Sequence, residues 1–188
     1  HALRRQMHRD FRKPLIIMTP KSLLRNKYCV SNIEDFNKKN TYHRILWDHA
    51  IDPKSKNFIK LKENSKIRKV ILCSGKVYFD LLEAREKLKK DDVILFRIEQ
   101  LYPFPVKALV KELKPFAKNA KFVWCQEEPK NMGAWFSVRD YIQWTLDTIK
   151  ANNNKISYIG RSPDASPATE YTKRHNSQQQ EIINKVFE

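Results

Sequence analysis

From Lys69 onward, short apolar runs alternate with segments of helical periodicity, and this alternation constrains the fold more than any other feature. The runs lie at residues 70–73, 93–96, 122–125 and 156–159. The first three are continuously apolar, which is typical of strands that are covered on both faces, whereas the fourth contains Ser157. The segments between them repeat apolar residues every three or four positions. The pattern therefore predicts parallel strands that are joined by helices.

The residues before Lys69 are less regular. Residues 1–13 predict a basic linking helix, because Leu3, Met7 and Phe11 recur every four positions. Residues 14–18 form an apolar run and predict a fifth, buried strand. Ser31 and Glu34 have the spacing of a capping box before a short helix. Residues 37–66 are polar and predict an irregular surface excursion.

Together these elements predict one domain over residues 1–188. We expect a three-layer α/β/α fold around a mostly parallel five-stranded sheet. Trp47 is expected to hold the irregular excursion against the surface. The chain starts without a Met or an apolar leader, so we expect it to be part of a longer protein.

The charge of the chain is strongly positive. It carries 37 Lys and Arg against 21 Asp and Glu, a net charge of +16. This excess is consistent with a solvated lysine-rich surface, but also with binding of a polyanion, a phosphorylated ligand or an acidic partner. The aromatic residues mostly fall inside strand and helix patterns, and no RNP-like run or zinc finger occurs. No apolar run approaches the ~20 residues of a membrane span.

Polar residues follow each predicted strand, and parallel strands direct their carboxyl ends to one edge. Ser74, Gly75 and Lys76 also begin a predicted helix, whose free amides favour an anion. Helix capping alone also explains Ser74. The full phosphate-binding loop GxxxxGK[ST] is absent, so the edge predicts only a general phosphate or carboxylate site.

The sequence signals for catalytic residues are weak. Glu127 and Glu128 are adjacent on a predicted strand and would point to opposite faces, so they do not predict a converging acid–base pair. No His lies in a recognisable triad arrangement, and no CxxC or His-x-x-x-His occurs. Of the three cysteines, Cys73 and Cys125 are predicted to be reduced core residues. The sequence therefore predicts no catalytic residue and no metal site.

Several segments resemble one family. They are TPKSLLR at 19–25, CSGKVY at 73–78, RIEQLYPFP at 97–105, VWCQEEPKNMGAW at 123–135, and Gly160-Arg161 followed by ASPA at 165–168. In this combination they resemble the carboxyl-terminal part of 2-oxoglutarate dehydrogenases, the decarboxylating components that depend on thiamine diphosphate. Only residues 37–66 depart freely from the family pattern.

The resemblance implies a domain similar to the carboxyl-terminal domain of transketolase. It implies that the full-length enzyme is a homodimer that decarboxylates 2-oxoglutarate with thiamine diphosphate and magnesium in the tricarboxylic acid cycle. The succinyl group would pass to the lipoyl arm of dihydrolipoamide succinyltransferase. The cofactor would be held by upstream domains of the same chain, since the Gly-Asp-Gly motif of such enzymes is absent here. We therefore expect no bound cofactor and no turnover in this part alone.

Some members of the family bind acetyl-CoA or AMP as effectors, and this implies a use for the basic residues. The matching positions are Arg5 and Lys21, and Lys66 aligns less securely. Spacing adds Ser22, Arg25 and Lys76 as neighbours. Convergent Arg and Lys suit a phosphorylated ligand. The same residues would equally suit contacts with the upstream domains.

Two further interpretations stay open. The chain would also fit the corresponding domain of another 2-oxo acid dehydrogenase, or a basic domain that binds nucleotides or nucleic acid. The composition, rich in Lys, Ile and Asn, favours a bacterial cytoplasmic protein, and the mitochondrial matrix also fits.

Overall fold

A computed structural model describes residues 1–37, 41–51 and 58–188. The chain divides into two compact units, His1–His43 and Arg44–Glu188. Of the excursion predicted over residues 37–66, positions 38–40 and 52–57 lie outside the described residues. No helix in the described parts of the chain is long and apolar enough to cross a membrane.

The larger unit contains a five-stranded sheet with the order β1-β3-β2-β4-β5. The strands are β1 (Ile45–Leu46), β2 (Lys69–Cys73), β3 (Val93–Ile98), β4 (Lys121–Pro129) and β5 (Ser157–Arg161). The pairings β2–β3, β2–β4 and β4–β5 are parallel, and β1 pairs antiparallel with β3. Leu72 lies opposite Phe96 on one side and Trp124 on the other. The predicted mostly parallel α/β sheet is confirmed.

Helices cover both faces of the sheet. They are α2 (Val77–Leu88), α3 (Val106–Leu113), α4 (Trp135–Thr148) and α5 (Thr172–Phe187). Helices α3 and α4 share one core with the strand side chains Leu72, Phe96 and Trp124. Helices α2 and α5 contact each other and the strands. The three layers follow because the central strands carry continuous apolar runs, at residues 70–73, 93–96 and 122–125, and need cover on both faces.

The fifth strand of the sheet is not the one that the sequence predicted. The strand predicted at residues 14–18 is wrong, because these residues form no strand and their apolar side chains are exposed. The fifth strand is β1, in which Ile45 lies opposite Ile98. An apolar run marks a segment that can be buried, but a strand also needs a neighbouring backbone with which to pair.

Residues 1–37 and 41–43, the described part of the smaller unit, contain one short α-helix and two short 3₁₀ helices. Helix α1 spans Ala2–Met7, whereas the sequence predicted a helix over residues 1–13. The 3₁₀ helices span Lys21–Arg25 and Ile33–Phe36. The second helix has a capping box one residue later than predicted, formed by Asn32 and Asp35. The Asn32 amide donates to Asp35 Oδ2 over 3.0 Å. The pattern of the box holds, with Asn and Asp in place of Ser and Glu.

The segment after β1 is anchored by Asp48. We expected Trp47 to hold the excursion against the surface; its side chain is half-exposed, and its Nε1 donates to Glu112 Oε2 over 2.8 Å. Asp48 is buried and forms an ion pair with Arg85 of α2. The predicted irregular excursion thus contains a strand and a buried acidic residue.

Candidate functional site

Polar side chains meet at the carboxyl edge of the sheet. Strand β2 ends before Ser74, β3 before Glu99, and β5 at Arg161. Strand β4 carries Gln126 and Glu127 close to its end. Since these four strands are parallel, their carboxyl ends share one edge. This edge is the candidate functional site that the sequence predicted.

Lys76 is the basic residue at the start of α2, and two carboxylates match its charge. Its Nζ lies 2.6 Å from Glu127 Oε2 and 3.5 Å from Asp80 Oδ2. Burial disfavours the ammonium ion, but the hydrogen bond and negative charge of Glu127, helped by Asp80, outweigh it, so the pKa of Lys76 is raised. Gln179 of α5 donates to the same Asp80 oxygen over 2.9 Å. This cluster therefore joins β4, α2 and α5.

Arg97 at the end of β3 lies against two aromatic rings. Its guanidinium carbon is 4.4 Å from the ring centre of Tyr78 and 5.0 Å from that of Phe79. These distances are typical of cation–π contacts. Glu99 Oε1 is 3.9 Å from Arg97 Nε. Arg97 was not among the predicted site residues, although an Arg that follows an apolar run within the same strand is a signal for such a residue.

Tyr78 connects this cluster to the segment after β1. Its hydroxyl oxygen accepts a hydrogen bond from the His49 amide over 3.0 Å and lies 2.6 Å from His49 Nδ1. Burial raises the pKa of the Tyr78 hydroxyl well above its usual range. The hydroxyl is therefore protonated at neutral pH and can donate to the imidazole.

Gln126 organises the turn between β4 and α4. Its Oε1 accepts from Trp124 Nε1 and from the Trp135 amide, both over 3.0 Å. Its Nε2 donates to the carbonyls of Pro129 over 3.1 Å and of Met132 over 2.8 Å. The side chain is 3% exposed, so these bonds satisfy a buried amide. Glu127 bonds to Lys76, whereas Glu128 is exposed, and the two carboxylates do not converge.

Four of the candidate effector residues lie in the smaller unit. Lys21, Ser22 and Arg25 share one 3₁₀ turn, and all three are exposed. Arg5 is an exposed residue of α1. This turn brings two cations and a hydroxyl together without a neighbouring acid in its sequence.

The other two candidates lie in the larger unit, and both are paired with acids. Lys66 Nζ lies 3.4 Å from Glu63 Oε2, and both side chains are largely exposed. Lys76 is held by Glu127 and Asp80, as described above. An anion that approached Lys76 would have to compete with two carboxylates.

Within residues 1–37, 41–51 and 58–188, no group of three or more His, Cys, Asp or Glu could hold a metal ion. Cys73 and Cys125 are buried and free, as predicted, and Cys29 is exposed.

A contact between β5 and α5 lies at the end of β5, where the imidazole Nδ1 of His175 is 3.1 Å from Arg161 Nη2.

The fold and the edge define a mostly parallel α/β domain. The polar side chains at its strand ends form hydrogen bonds and ion pairs largely with one another. Residues 30–187 match the family described as "2-oxoglutarate dehydrogenase C-terminal", and the chain belongs to this family. The family that the sequence segments resembled is thus confirmed.

The relatives are much longer than this chain. It is 56% identical over 178 residues to a "2-oxoglutarate dehydrogenase E1 component" of Brucella abortus. A protein of the same name from Brucella anthropi is also 56% identical over 178 residues. In both cases the match covers 95% of this chain and 18% of the relative. The chain therefore spans about a fifth of the length of these relatives.

A comparison with solved structures matches a chain described as "Split gene transketolase, inactive beta4 tetramer". The TM-score is 0.45 and the sequence identity is 12%. The match covers 69% of this chain and 40% of that chain.

Proposed function

We propose that this chain is the carboxyl-terminal structural and regulatory domain of a full-length 2-oxoglutarate dehydrogenase. The observation that carries the proposal is the family match over residues 30–187, together with 56% identity to relatives of that name. The chain would correspond to 18% of such a protein. The rest of the protein would hold the catalytic apparatus.

The full-length protein would oxidatively decarboxylate 2-oxoglutarate and pass the succinyl group to the lipoyl group of dihydrolipoamide succinyltransferase. It would act as a homodimer in a multienzyme complex of the tricarboxylic acid cycle. We propose a bacterial cytoplasmic location, with the mitochondrial matrix as the alternative. Thiamine diphosphate, bound with magnesium, would supply the carbanion chemistry in the full-length protein.

The residues of this chain do not fit that cofactor. None of the three glycines begins a Gly-Asp-Gly sequence, since they are followed by Lys76, Ala134 and Arg161. The described residues contain no group of carboxylates or histidines that could hold magnesium. We therefore derive no catalytic step for this chain and propose that its residues position and support the rest of the enzyme.

Two buried networks fit a supporting role. The Asp48–Arg85 pair ties the segment after β1 to α2. The Gln126 side chain fixes the turn that leads into α4. Both are fully bonded, so the domain can hold a rigid surface toward other parts of the protein.

We propose a regulatory role for the exposed basic residues. A phosphorylated effector such as AMP or acetyl-CoA would contact Lys21, Ser22 and Arg25 of the 3₁₀ turn, with Arg5 as a further cation. Lys66 and Lys76 are less available, because acids already pair with them. Charge-assisted hydrogen bonds to phosphate contribute the binding energy in such sites.

The catalytic assignment is tested by measuring CO₂ release from 2-oxoglutarate, with thiamine diphosphate and magnesium present. The full-length protein should turn over this substrate, and the 188-residue chain should not. Turnover by the chain alone would contradict the supporting role. Preference of the full-length protein for pyruvate would assign the domain to another 2-oxo acid dehydrogenase.

The regulatory role is tested by titrating AMP and acetyl-CoA into the full-length protein. Lys21→Ala with Arg25→Ala should weaken binding by about tenfold or more, since each lost charged hydrogen bond costs roughly 1.5–3 kcal/mol. Lys118→Ala removes an exposed lysine elsewhere and serves as the control. Equal affinity in all three proteins would remove these residues from the effector site.

The nucleic-acid alternative rests on the charge of +16. It requires salt-dependent retention of a random oligonucleotide that is lost when Arg4, Arg5 and Arg9 are reversed in charge. Retention that is unchanged by these reversals would count against that alternative.

A further inference from the structure

The amino edge of the sheet, at the other end of the strands from the candidate functional site, is strongly basic. Strands β4 and β5 begin there, at Lys121 and Ser157. The segments that lead into them, residues 113–122 and 148–156, contain no Asp or Glu. We call their five exposed lysines the lysine edge: Lys114, Lys118, Lys121, Lys150 and Lys155.

Hydrogen bonds hold the two lysine-bearing segments side by side. The Asn152 amide donates to the Ala117 carbonyl, and Asn152 Nδ2 donates to the Lys118 carbonyl, both over 2.9 Å. Asn153 Nδ2 donates to the Ala120 carbonyl over 3.2 Å. The lysines are therefore carried by one ordered stretch of backbone, and order before binding lowers the entropy cost of a contact.

Among the described residues, no acid pairs with the lysine edge. None of its lysines forms an ion pair or a side-chain hydrogen bond with residues 1–37, 41–51 or 58–188. The two acids that precede β3 are already paired with other cations. Asp91 Oδ1 lies 3.0 Å from Lys62 Nζ, and Asp92 Oδ2 lies 3.1 Å from Arg68 Nε. The positive charge of the lysine edge is thus available to a partner.

The buried residue Lys69 is affected by this charge. It begins β2 and lies opposite Lys121 in the pairing with β4. Its side chain is buried, and its Nζ donates to the Val186 carbonyl over 2.7 Å. Burial lowers the pKa of Lys69, and the positive charges of Arg68 and Lys121 lower it further. The cations around this edge therefore act on Lys69 more strongly than the nearby carboxylates do.

The composition of the lysine edge indicates the class of partner. Residues 113–122 and 148–156 contain no Arg, and their two aromatic side chains, Phe116 and Phe122, are buried. Exposed aromatic rings and forked Arg contacts are typical of nucleic-acid sites. Lysine supplies compact single charges, which suit carboxylates that are spread over a protein surface.

We propose that the lysine edge is a docking face for an acidic surface of a separate protein. Exposed charges of this kind chiefly raise the rate of association, so we expect a fast, salt-sensitive contact. Lys76 and Glu127 lie near the carboxyl ends of the strands, so a partner on the lysine edge would leave that end open. This docking face goes beyond the proposed function and does not require it.

Binding of poly-L-glutamate to the full-length protein tests this face. Lys114→Glu combined with Lys121→Glu and Lys155→Glu should weaken binding by about tenfold or more, since each reversal replaces attraction by repulsion. The control reverses three exposed lysines near the carboxyl ends of the strands, by Lys107→Glu, Lys130→Glu and Lys173→Glu. It changes the net charge equally and should weaken binding by less than about threefold. Equal losses in the two variants would show a response to net charge alone and would overturn the proposal.

A neutral variant guards against effects on folding. Lys114→Gln combined with Lys121→Gln and Lys155→Gln removes three charges without adding acids, and should give an intermediate loss of affinity. The urea midpoints of all variants should match that of the wild type, because the replaced side chains are exposed. Wild-type affinity in the Gln variant would remove these lysines from any docking face.

Two further measurements separate the possible partners. Lysine acetylation of the full-length protein, mapped by mass spectrometry, should modify Lys114, Lys121 and Lys155 about as fast as Lys107. Slow modification of the first three would show that the protein's own chain covers the edge, which contradicts a separate partner. A single-stranded oligonucleotide should lose equal affinity in the lysine-edge and control variants. A loss confined to the lysine-edge variant would assign the face to nucleic acid and overturn the proposal.

Discussion

Asp48 and Arg85 form an ion pair in which neither side chain is exposed to solvent. Arg85 Nη2 donates to Asp48 Oδ1 over 2.8 Å, and Nη1 bonds to the other oxygen. The Leu95 amide also donates to Asp48 Oδ2 over 2.8 Å. Burial disfavours the charged guanidinium, but the charge and hydrogen bonds of Asp48 prevail and the pKa of Arg85 is raised. One carboxylate thus joins the segment after β1 to α2 and β3.

Asp48→Ala should strongly destabilise the domain. The change leaves the Arg85 charge buried without Asp48, and breaking a buried pair costs about 3–5 kcal/mol. Urea unfolding, followed by far-ultraviolet circular dichroism, measures the change. Asp92→Ala is the matched control, because Asp92 pairs with Arg68 in a partly exposed bridge. The control should lower the unfolding free energy by about 0–1 kcal/mol. A similarly small decrease for Asp48→Ala would show that the buried ion pair contributes little to stability.

Gly133→Ala should destabilise the domain more than Gly75→Ala. Both glycines have positive φ, +65° and +71°, so alanine is strained at either position. At Gly75 an added Cβ meets nothing within 4 Å, whereas at Gly133 it would lie 2.9 Å from Gln126 Nε2. We expect about 1 kcal/mol for Gly75→Ala and about 2–3 kcal/mol for Gly133→Ala, since Gln126 must also lose buried hydrogen bonds.

Thermal unfolding of the two glycine variants measures this difference. Equal decreases in unfolding free energy for Gly133→Ala and Gly75→Ala would show that the Gln126 side chain moves aside at no energetic cost. Gln126→Leu provides a second approach, because it removes the bonds to Trp124 and Trp135 directly. Gln126→Leu should lower the unfolding free energy more than Gly75→Ala does.

The contribution of Lys76 to stability should depend on pH at the alkaline end. The pKa of Lys76 in the folded chain is raised above 10.5, so its ion pair with Glu127 contributes fully below pH 10.5. This contribution is lost as the pH rises through the folded-state pKa. The difference in unfolding free energy between wild type and Lys76→Met should therefore stay constant through neutral pH and shrink above pH 10.5.

Lys118→Met, which removes an exposed lysine, is the control for the general effect of charge. A Lys76→Met difference that already disappears near neutral pH would contradict the assignment of the ion pair.

Only one of the three thiols should react quickly with a thiol reagent at pH 8. Burial raises the pKa of Cys73 well above its usual range and raises that of Cys125 to about 12, with Glu127 adding to the shift at Cys125. Cys29 is exposed. We expect one fast equivalent per chain, which Cys29→Ser abolishes, and two more after denaturation. A second fast equivalent in the folded chain would contradict the burial of the two strand cysteines.

The regular part of the fold was predictable because its signals are local. The apolar runs at residues 70–73, 93–96, 122–125 and 156–159 all lie within observed strands or overlap one. The first three runs contain no polar residue, which indicated strands covered on both faces, and the helices between the strands provide this cover. Local repetition of apolar residues is enough to predict such elements, since each is stabilised by its own buried face.

The edges of the fold were not predictable in the same way. Residues 14–18 looked like a buried strand and are exposed, whereas Ile45–Leu46 is a strand of two residues in a polar segment. Ile45 becomes a strand residue because Ile98, 53 positions later, lies opposite it. Pairing of this kind depends on backbone geometry that no short window of sequence contains.

The sequence by itself determined the α/β alternation, the family, and the identity of the residues at the carboxyl edge. Only the tertiary structure decided that Glu127 neutralises Lys76 and that Asp48 is buried against Arg85. These partners are 51 and 37 residues apart. Charge and polarity are properties of single residues, but whether a charge is free to bind a ligand depends on which remote side chain the fold brings within hydrogen-bond distance.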